Sequence, residues 1–204
     1  MGDHNQIHTA RSGLPLVGSE ISRRLQEFFT FSLTADGLLI EGAEKESEPS
    51  DVRELVRSAV DNVSVSAESQ SVHIEQVVPE GLVITLDRHR LHRVLVNLFV
   101  NALEVMPNGG TIHISAVSHR RSILIRVRDT GPGIAPEIRG RLFQPFATAG
   151  KATGIGLGLA FSRQAVIDHG GEIWVESSSR GTCFSIRLPR RIAQRRAPHH
   201  ADIA

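Results

Sequence analysis

Apolar positions in residues 51–189 recur with two different periods, and the changes of period divide the stretch into elements. Val52, Leu55, Val56, Ala59, Val60 and Val63 follow helical spacing. With Ser50 as a cap and Glu54 in the first turn, they predict one helix from Asp51 to about Glu68. Short strands are expected at 72–78 and 82–86. A second helix at 88–105 carries Leu91, Val94, Leu95, Leu98, Phe99 and Ala102 on one face, leaving His89, Arg90, His92 and Arg93 toward solvent. After the turn Pro107-Asn108-Gly109-Gly110, strict alternation predicts a strand at 111–117 with Ile112, Ile114 and Ala116 inward. A hairpin at His119-Arg120-Arg121 leads to a strand at 122–129, with Ile123, Ile125, Val127 and Asp129 on one face and Arg126 and Arg128 on the other. Residues 135–153 show neither period. A helix at 155–169 and a hairpin pairing 172–178 with 182–188 complete the pattern, which predicts an α+β two-layer sandwich with helices on one face of a mixed sheet.

The flanks read differently. Residues 1–15 are polar, and Leu16 to Leu33 has a helical pattern. Thr34 to Ser50, with Asp36, Glu41, Glu44, Glu46, Glu48 and Pro49, reads as an acidic hinge. Residues 190–204 form a basic tail with Arg190, Arg191, Arg195 and Arg196. The expected division is thus 1–50, 51–189 and 190–204. A chain of 204 residues with 40% hydrophobic content supports one packed domain plus a short attachment. A net charge of +1 gives no reason to expect a nucleic-acid partner. The single Cys183 excludes an internal disulfide, suits a reducing cytosol and reads as an inert core residue. No apolar run approaches the ~20 residues of a membrane helix, and the N-terminus lacks a secretory apolar region. The expectation is a cytoplasmic chain that does not insert into a membrane.

Chemistry concentrates in three blocks. Asn97 and Asn101 are four residues apart and share one helix face. They either face water or offer amide oxygens to a hard cation such as Mg²⁺. Asp129 ends a strand on its apolar side, where a lone charge is costly, and Gly131 and Gly133 follow it. This is either an ordinary strand-ending turn or a carboxylate placed to accept from the amine of a base, with side chains removed so that a flat ring can approach. Gly154-Ile155-Gly156-Leu157-Gly158-Leu159 opens a helix, where exposed N–H groups and the helix dipole favour phosphate. It matches neither the Rossmann fingerprint, since position 159 is Leu, nor a Walker loop.

In this order the blocks resemble the N box and two glycine boxes of the GHKL, or Bergerat, ATP-binding fold of sensor histidine kinases, gyrase, MutL and heat-shock chaperones. The phrases Leu142-Phe143-Gln-Pro145-Phe146, His169-Gly170-Gly171-Glu-Ile-Trp174 and Gly181-Thr182-x-Phe184 are similar to those of histidine-kinase catalytic domains. The resemblance implies Asn101 as the magnesium ligand and Asp129 as the adenine-reading carboxylate. It implies Gly131, Gly133 and Ile134 around the base, with Thr182 behind it. Phe143 and Phe146 would anchor a lid, and Lys151 in that lid would reach the terminal phosphates. Thr153, Gly154, Ile155, Gly156, Leu157, Gly158 and Leu159 would form the phosphate cradle, and Glu104 would face phosphate water or solvent.

Position 97 bears on the reaction. Hydrolytic members of the superfamily carry a Glu there as general base, whereas Asn97 cannot take a proton. The resemblance therefore implies ATP and Mg²⁺ as cofactors, with Asn97 and Lys151 assisting transfer of phosphate to a protein histidine. None of the ten His residues sits in the family's acceptor pattern His-[Asp/Glu]-x-x-[Asn/Arg]-Pro. The expected partners are thus a His-bearing dimerisation domain or partner kinase and a response regulator. Residues 16–33 resemble the second helix of a dimerisation stem and offer a route to a homodimer. Two alternatives stand beside this: a degenerate module that binds nucleotide without transferring phosphate, and an anti-sigma type serine kinase.

Overall fold

The computed structural model describes residues 47–147 and 156–190. The attachment helix at 16–33, most of the acidic hinge, the basic tail, and Lys151, Thr153, Gly154 and Ile155 lie outside them. Strand β1 (Glu48–Asp51) opens the described fold and pairs antiparallel with β3 (Val83–Leu86), Pro49 lying opposite Thr85. Ser50 is therefore a buried strand residue and not a helix cap. Asp51 caps α1 (Val52–Asp61), its carboxylate accepting from the N–H groups of Arg53 and Glu54 at 2.8 and 3.1 Å.

The long helix expected over 51–68 is broken. Helix α1 ends at Asp61, and a short α2 (Ser64–Ser69) follows. Asn62 ends the first helix, its side-chain amide donating back to Ser58 O at 2.8 Å. Val52, Leu55, Val56, Ala59 and Val63 are buried as the period requires, and Val65 faces solvent. Helix α3 (Arg88–Glu104) has Asp87 as N-cap and presents Leu91, Val94, Leu95, Leu98 and Phe99 to the core. On its other side His89 and Arg90 are exposed, but His92 and Arg93 are half-buried, His92 accepting from the Asn62 amide at 3.2 Å.

Strands β2 (Val72–Val77), β4 (Gly110–Ser118), β5 (Ser122–Asp129), β6 (Glu172–Ser178) and β7 (Gly181–Pro189) form one mixed sheet in the order β2-β4-β5-β7-β6. The β2–β4 pair is parallel and the rest are antiparallel. Register carries the inward rows across the sheet: Ile114 lies opposite Val127, which lies opposite Phe184, and Ile125 lies opposite Ile186. Ile112, Ile114, Ile123, Ile125, Ile186 and Leu188 are almost fully buried. Helices α1, α3 and α5 (Gly158–Asp168) cover this face, and a short helix α4 (Pro136–Arg139) interrupts the irregular segment after β5. The outward face is polar. His113 pairs with Glu75 at 2.8 Å, and the Arg187 guanidinium lies 4.9 Å from the centre of the Trp174 ring while also pairing with Glu172 at 3.0 Å. Cys183 is half-buried on this outward face and not in the core, because alternation gives the inward positions to Thr182, Phe184 and Ile186.

Two contacts bind the start of α3 to the end of α5. The Asp87 N–H donates to Nε2 of buried His169 at 3.0 Å. That bond leaves the ring proton on Nδ1, which donates to Ala165 O at 2.6 Å. Beside it, Arg90 pairs with Asp168. The helix bearing both asparagines and the helix opened by glycines are thereby clamped at one end.

Candidate functional site

Strand β5 delivers Asp129 inward, and the side chain is 4% exposed. A carboxylate so buried demands donors, and the backbone supplies two. Gly131 N–H and Thr182 N–H donate to Oδ1 at 2.9 and 3.1 Å. Both bonds fall on one oxygen, Oδ1. Burial pushes the Asp129 carboxyl above the ordinary carboxylate value, and the Gly131 and Thr182 N–H groups pull the other way without prevailing. Thr182 is itself buried beside it on β7.

The turn after Asp129 is locked onto the β6–β7 hairpin. Ile134 N–H donates to Ser177 Oγ at 2.7 Å. A Cβ at Gly133, where φ is +81°, would lie 2.0 Å from Ser178 O; at Gly181 it would lie 2.0 Å from Asp129 O. A Cβ at Gly131 would meet Val105 at 2.9 Å and Asp129 Oδ1 at 3.0 Å. Close approach of protein to protein thus requires these glycines, quite apart from any space they leave to a base. A cavity of about 330 Å³ opens beside Gly131, between the Val105–Gly109 turn and Thr130–Pro132.

Helix α3 places Asn97 and Asn101 one turn apart. Asn97 is 7% exposed, so it does not face water. Its Nδ2 donates to Ser162 Oγ at 2.9 Å, and Ser162 in turn donates to Gly158 O at 2.9 Å. Asn101 is half-buried, and its Nδ2 is fully enclosed with no hydrogen-bond partner. A stranded buried N–H donor is expensive, and Asn101 Nδ2 shares its partnerless state, among the described residues, only with Gln70 Oε1. Glu104 is exposed at the end of the same helix. Among the described residues no group of three or more His, Cys, Asp or Glu is placed to hold a metal, so a cation here would rest on amide and water oxygens.

Helix α5 begins at Gly158 with Leu157 as N-cap, and among the described residues no side chain caps it. Its first N–H groups are therefore left for another acceptor. Gly158 packs on Asn97: an added Cβ would lie 2.2 Å from Oδ1. Gly156, at φ +73°, packs against the backbone of Phe146 and Ala147, where a Cβ would approach to 2.7 Å. Leu159 follows in the first turn, half-buried. Of the two aromatics expected to anchor a lid, Phe143 lies edge-on to Phe184 with ring centres 6.4 Å apart. Phe146 is 71% exposed and has φ +63°.

The structure thus gathers Asn97, Gly156 and Gly158 around the start of α5, and Gly131, Gly133, Ile134 and Thr182 around Asp129. Sequence inspection missed Ser162, Ser177 and His169 as parts of the site's frame. Only the helical spacing of Ser162 from Gly158 hinted at the first; His169 opened a family-like phrase without a role attached, and nothing local pointed to Ser177.

The profile of the histidine kinase-, DNA gyrase B-, and HSP90-like ATPase family matches residues 86–192. The chain is 38% identical over 149 residues to the histidine protein kinase DivJ of Caulobacter vibrioides, covering 70% of this chain and 25% of DivJ. It therefore spans about a quarter of the length of that relative. Its fold matches the nucleotide-free catalytic domain of histidine kinase ThkA with a TM-score of 0.67 at 31% identity, covering 74% of this chain and 99% of the other. It also matches ThkA crystallised with response regulator protein TrrA, with a TM-score of 0.71 at 25% identity over 92% of this chain and 55% of that one. An inward carboxylate at the end of β5, paired asparagines on α3 and an uncapped glycine start to α5, on a sheet that superimposes on ThkA, have one common source: the chain belongs to the histidine kinase-, DNA gyrase B- and HSP90-like ATPase family, and its ATP-binding domain is of the histidine-kinase catalytic type.

Proposed function

We propose that this domain binds ATP with Mg²⁺ and delivers the γ-phosphate to a histidine on a separate dimerisation helix, as the catalytic part of a two-component signalling kinase. The observation that carries the metal is the enclosed, partnerless end of the Asn101 amide: an NH₂ donor stranded there is costly, and turning the amide over puts its oxygen in that place, where a cation can take it. Its residue type fits a hard cation that keeps most of its shell as water and phosphate oxygens. Bound Mg²⁺ would neutralise charge on the phosphates. In this reading Asp129 Oδ2 accepts from the adenine amine, with Ile134 and Thr182 against the base. The first N–H groups of α5 donate to phosphate oxygens, and Lys151 reaches them from the lid. Asn97 offers no carboxylate to activate water, so the enclosed γ-phosphate waits for an imidazole instead of being hydrolysed. The solved complex of ThkA with TrrA supports a response regulator as the downstream partner. Among the described residues no helix is long and apolar enough to cross a membrane.

The test is transfer. Incubated alone with γ-labelled ATP, the chain should neither hydrolyse it quickly nor label itself, since general-base help is worth roughly 10²–10⁴ in rate and no His stands in an acceptor pattern. Adding a separate dimerisation domain with an intact acceptor His should give acid-labile, base-stable label on the added protein. Tight ATP binding with no transfer to any such domain would favour the nucleotide-binding module, the reading that the missing acceptor pattern supports. Strong label on His4 or His8 of this chain would overturn the assignment of the acceptor to a partner.

A further inference from the structure

We infer that Ser162 is a positioning residue: it decides which end of the Asn97 amide faces the first turn of α5, and through it how strongly nucleotide binding depends on a divalent cation. The inference rests on the Mg-ATP reading above. Ser162 is 3% exposed and its hydroxyl has two neighbours, Gly158 O at 2.9 Å and Asn97 Nδ2 at 2.9 Å. A carbonyl oxygen can only accept, so the single hydroxyl proton goes to Gly158 O. Toward Asn97 the hydroxyl then offers only a lone pair, and Asn97 must turn its NH₂ to meet it.

The amide oxygen is thereby aimed the other way, along the bare Cα of Gly158. A Cβ built there lies 2.2 Å from Oδ1 but 3.2 Å from Nδ2. The surface beside the phosphate-binding turn is consequently an acceptor. An acceptor repels a bare phosphate oxygen and attracts water held by a cation, and Mg²⁺ keeps several waters when bound. A reversed amide would present two N–H donors and bind phosphate without the cation's help. Ser162 excludes that reversal, and it does so from within α5 without touching the ligand.

The experiment compares ATP binding to the full chain by calorimetry in EDTA and across a Mg²⁺ series, with thermal unfolding measured in parallel. In Ser162→Ala the amide is free to reverse. The Mg²⁺ needed for half-maximal ATP affinity should then rise about fivefold, the worth of one net hydrogen bond, while affinity in EDTA is held or improves. Ser162→Thr, which keeps the hydroxyl, should restore the wild-type requirement. A purely structural serine would lower the unfolding temperature in the alanine variant and leave the ratio of the two affinities unchanged, and that result overturns the inference. Should Ser162→Ala not fold, Asn97→Ala takes its place. It removes the oriented amide, so a wild-type ratio of the two affinities in that variant is equally fatal. Asn101→Ala separates the two levels. If it abolishes the Mg²⁺ effect while Ser162→Ala leaves it unchanged, only the positioning role falls. If it too leaves Mg²⁺ dependence intact, the metal reading falls.

Discussion

Replacing Asp129 by Asn should weaken nucleotide binding and stabilise the empty protein at once, and the two effects share a cause. The side chain is 4% exposed, with Oδ1 accepting from Gly131 and Thr182 N–H. Asparagine keeps the shape and can keep an oxygen in that place. Its NH₂ then stands where Oδ2 stood, and a donor meets the adenine amine, also a donor. Losing one charged hydrogen bond costs about 1.5–3 kcal/mol, or about one to two decades in Kd. ADP should lose as much as ATP, because the contact is at the base.

The gain in the empty protein follows from the raised carboxyl pKa, whose main cause is burial. An acid held above its ordinary 3.8 by the fold contributes stability that is complete below 3.8 and lost as pH rises through the raised value. At pH 7 the ionised form therefore costs stability, and Asn removes the cost. The variant should unfold at or above the wild-type temperature at pH 7, with its relative advantage shrinking as pH falls toward 3.8. Wild-type ATP affinity should decline as Asp129 takes up its proton, and the variant should show less of that decline. Titration calorimetry and thermal scans across pH measure both. Equal affinity of the two proteins for ADP would refute the placement of Oδ2 against the base, and a variant clearly less stable at pH 7 would refute the cost of burying the ionised carboxyl.

Two further outcomes concern the frame. Gly133→Ala places a Cβ 2.0 Å from Ser178 O at a positive φ, so the turn must move off the hairpin; strain of this kind costs about 1–3 kcal/mol, read as a lower urea midpoint together with weaker ADP binding. His169→Ala cuts the tie between Asp87 and Ala165. With the groups left unsatisfied it should cost about 1–3 kcal/mol, measured as a shifted midpoint at unchanged m; an unshifted midpoint would show that the Arg90–Asp168 pair suffices to hold the two helices.

Much of this fold was readable along the chain. Strand β5 ends at Asp129 as alternation requires, and α3 buries the face that its spacing marks, because strand and helix each impose their own period on what is buried. The three chemical blocks stood out for a related reason: two asparagines inside a helix run against local propensity, and closely spaced glycines mark turns and a helix start. The same periodicity concealed the break between α1 and α2. Val63 stays in phase across it and remains buried, so the apolar rhythm continues where the backbone does not. Nor does any local pattern give the contacts that hold the site. Ile134 meets Ser177 across 43 residues, Asn97 meets Ser162 across 65, and Asp87 meets His169 across 82. Periodicity records which side of an element is buried and is silent about what it is buried against. The orientation of the Asn97 amide, the loading of both backbone donors onto Asp129 Oδ1 and the clamp between α3 and α5 follow from strand order and helix docking. Those arrangements exist only once distant segments have been brought together.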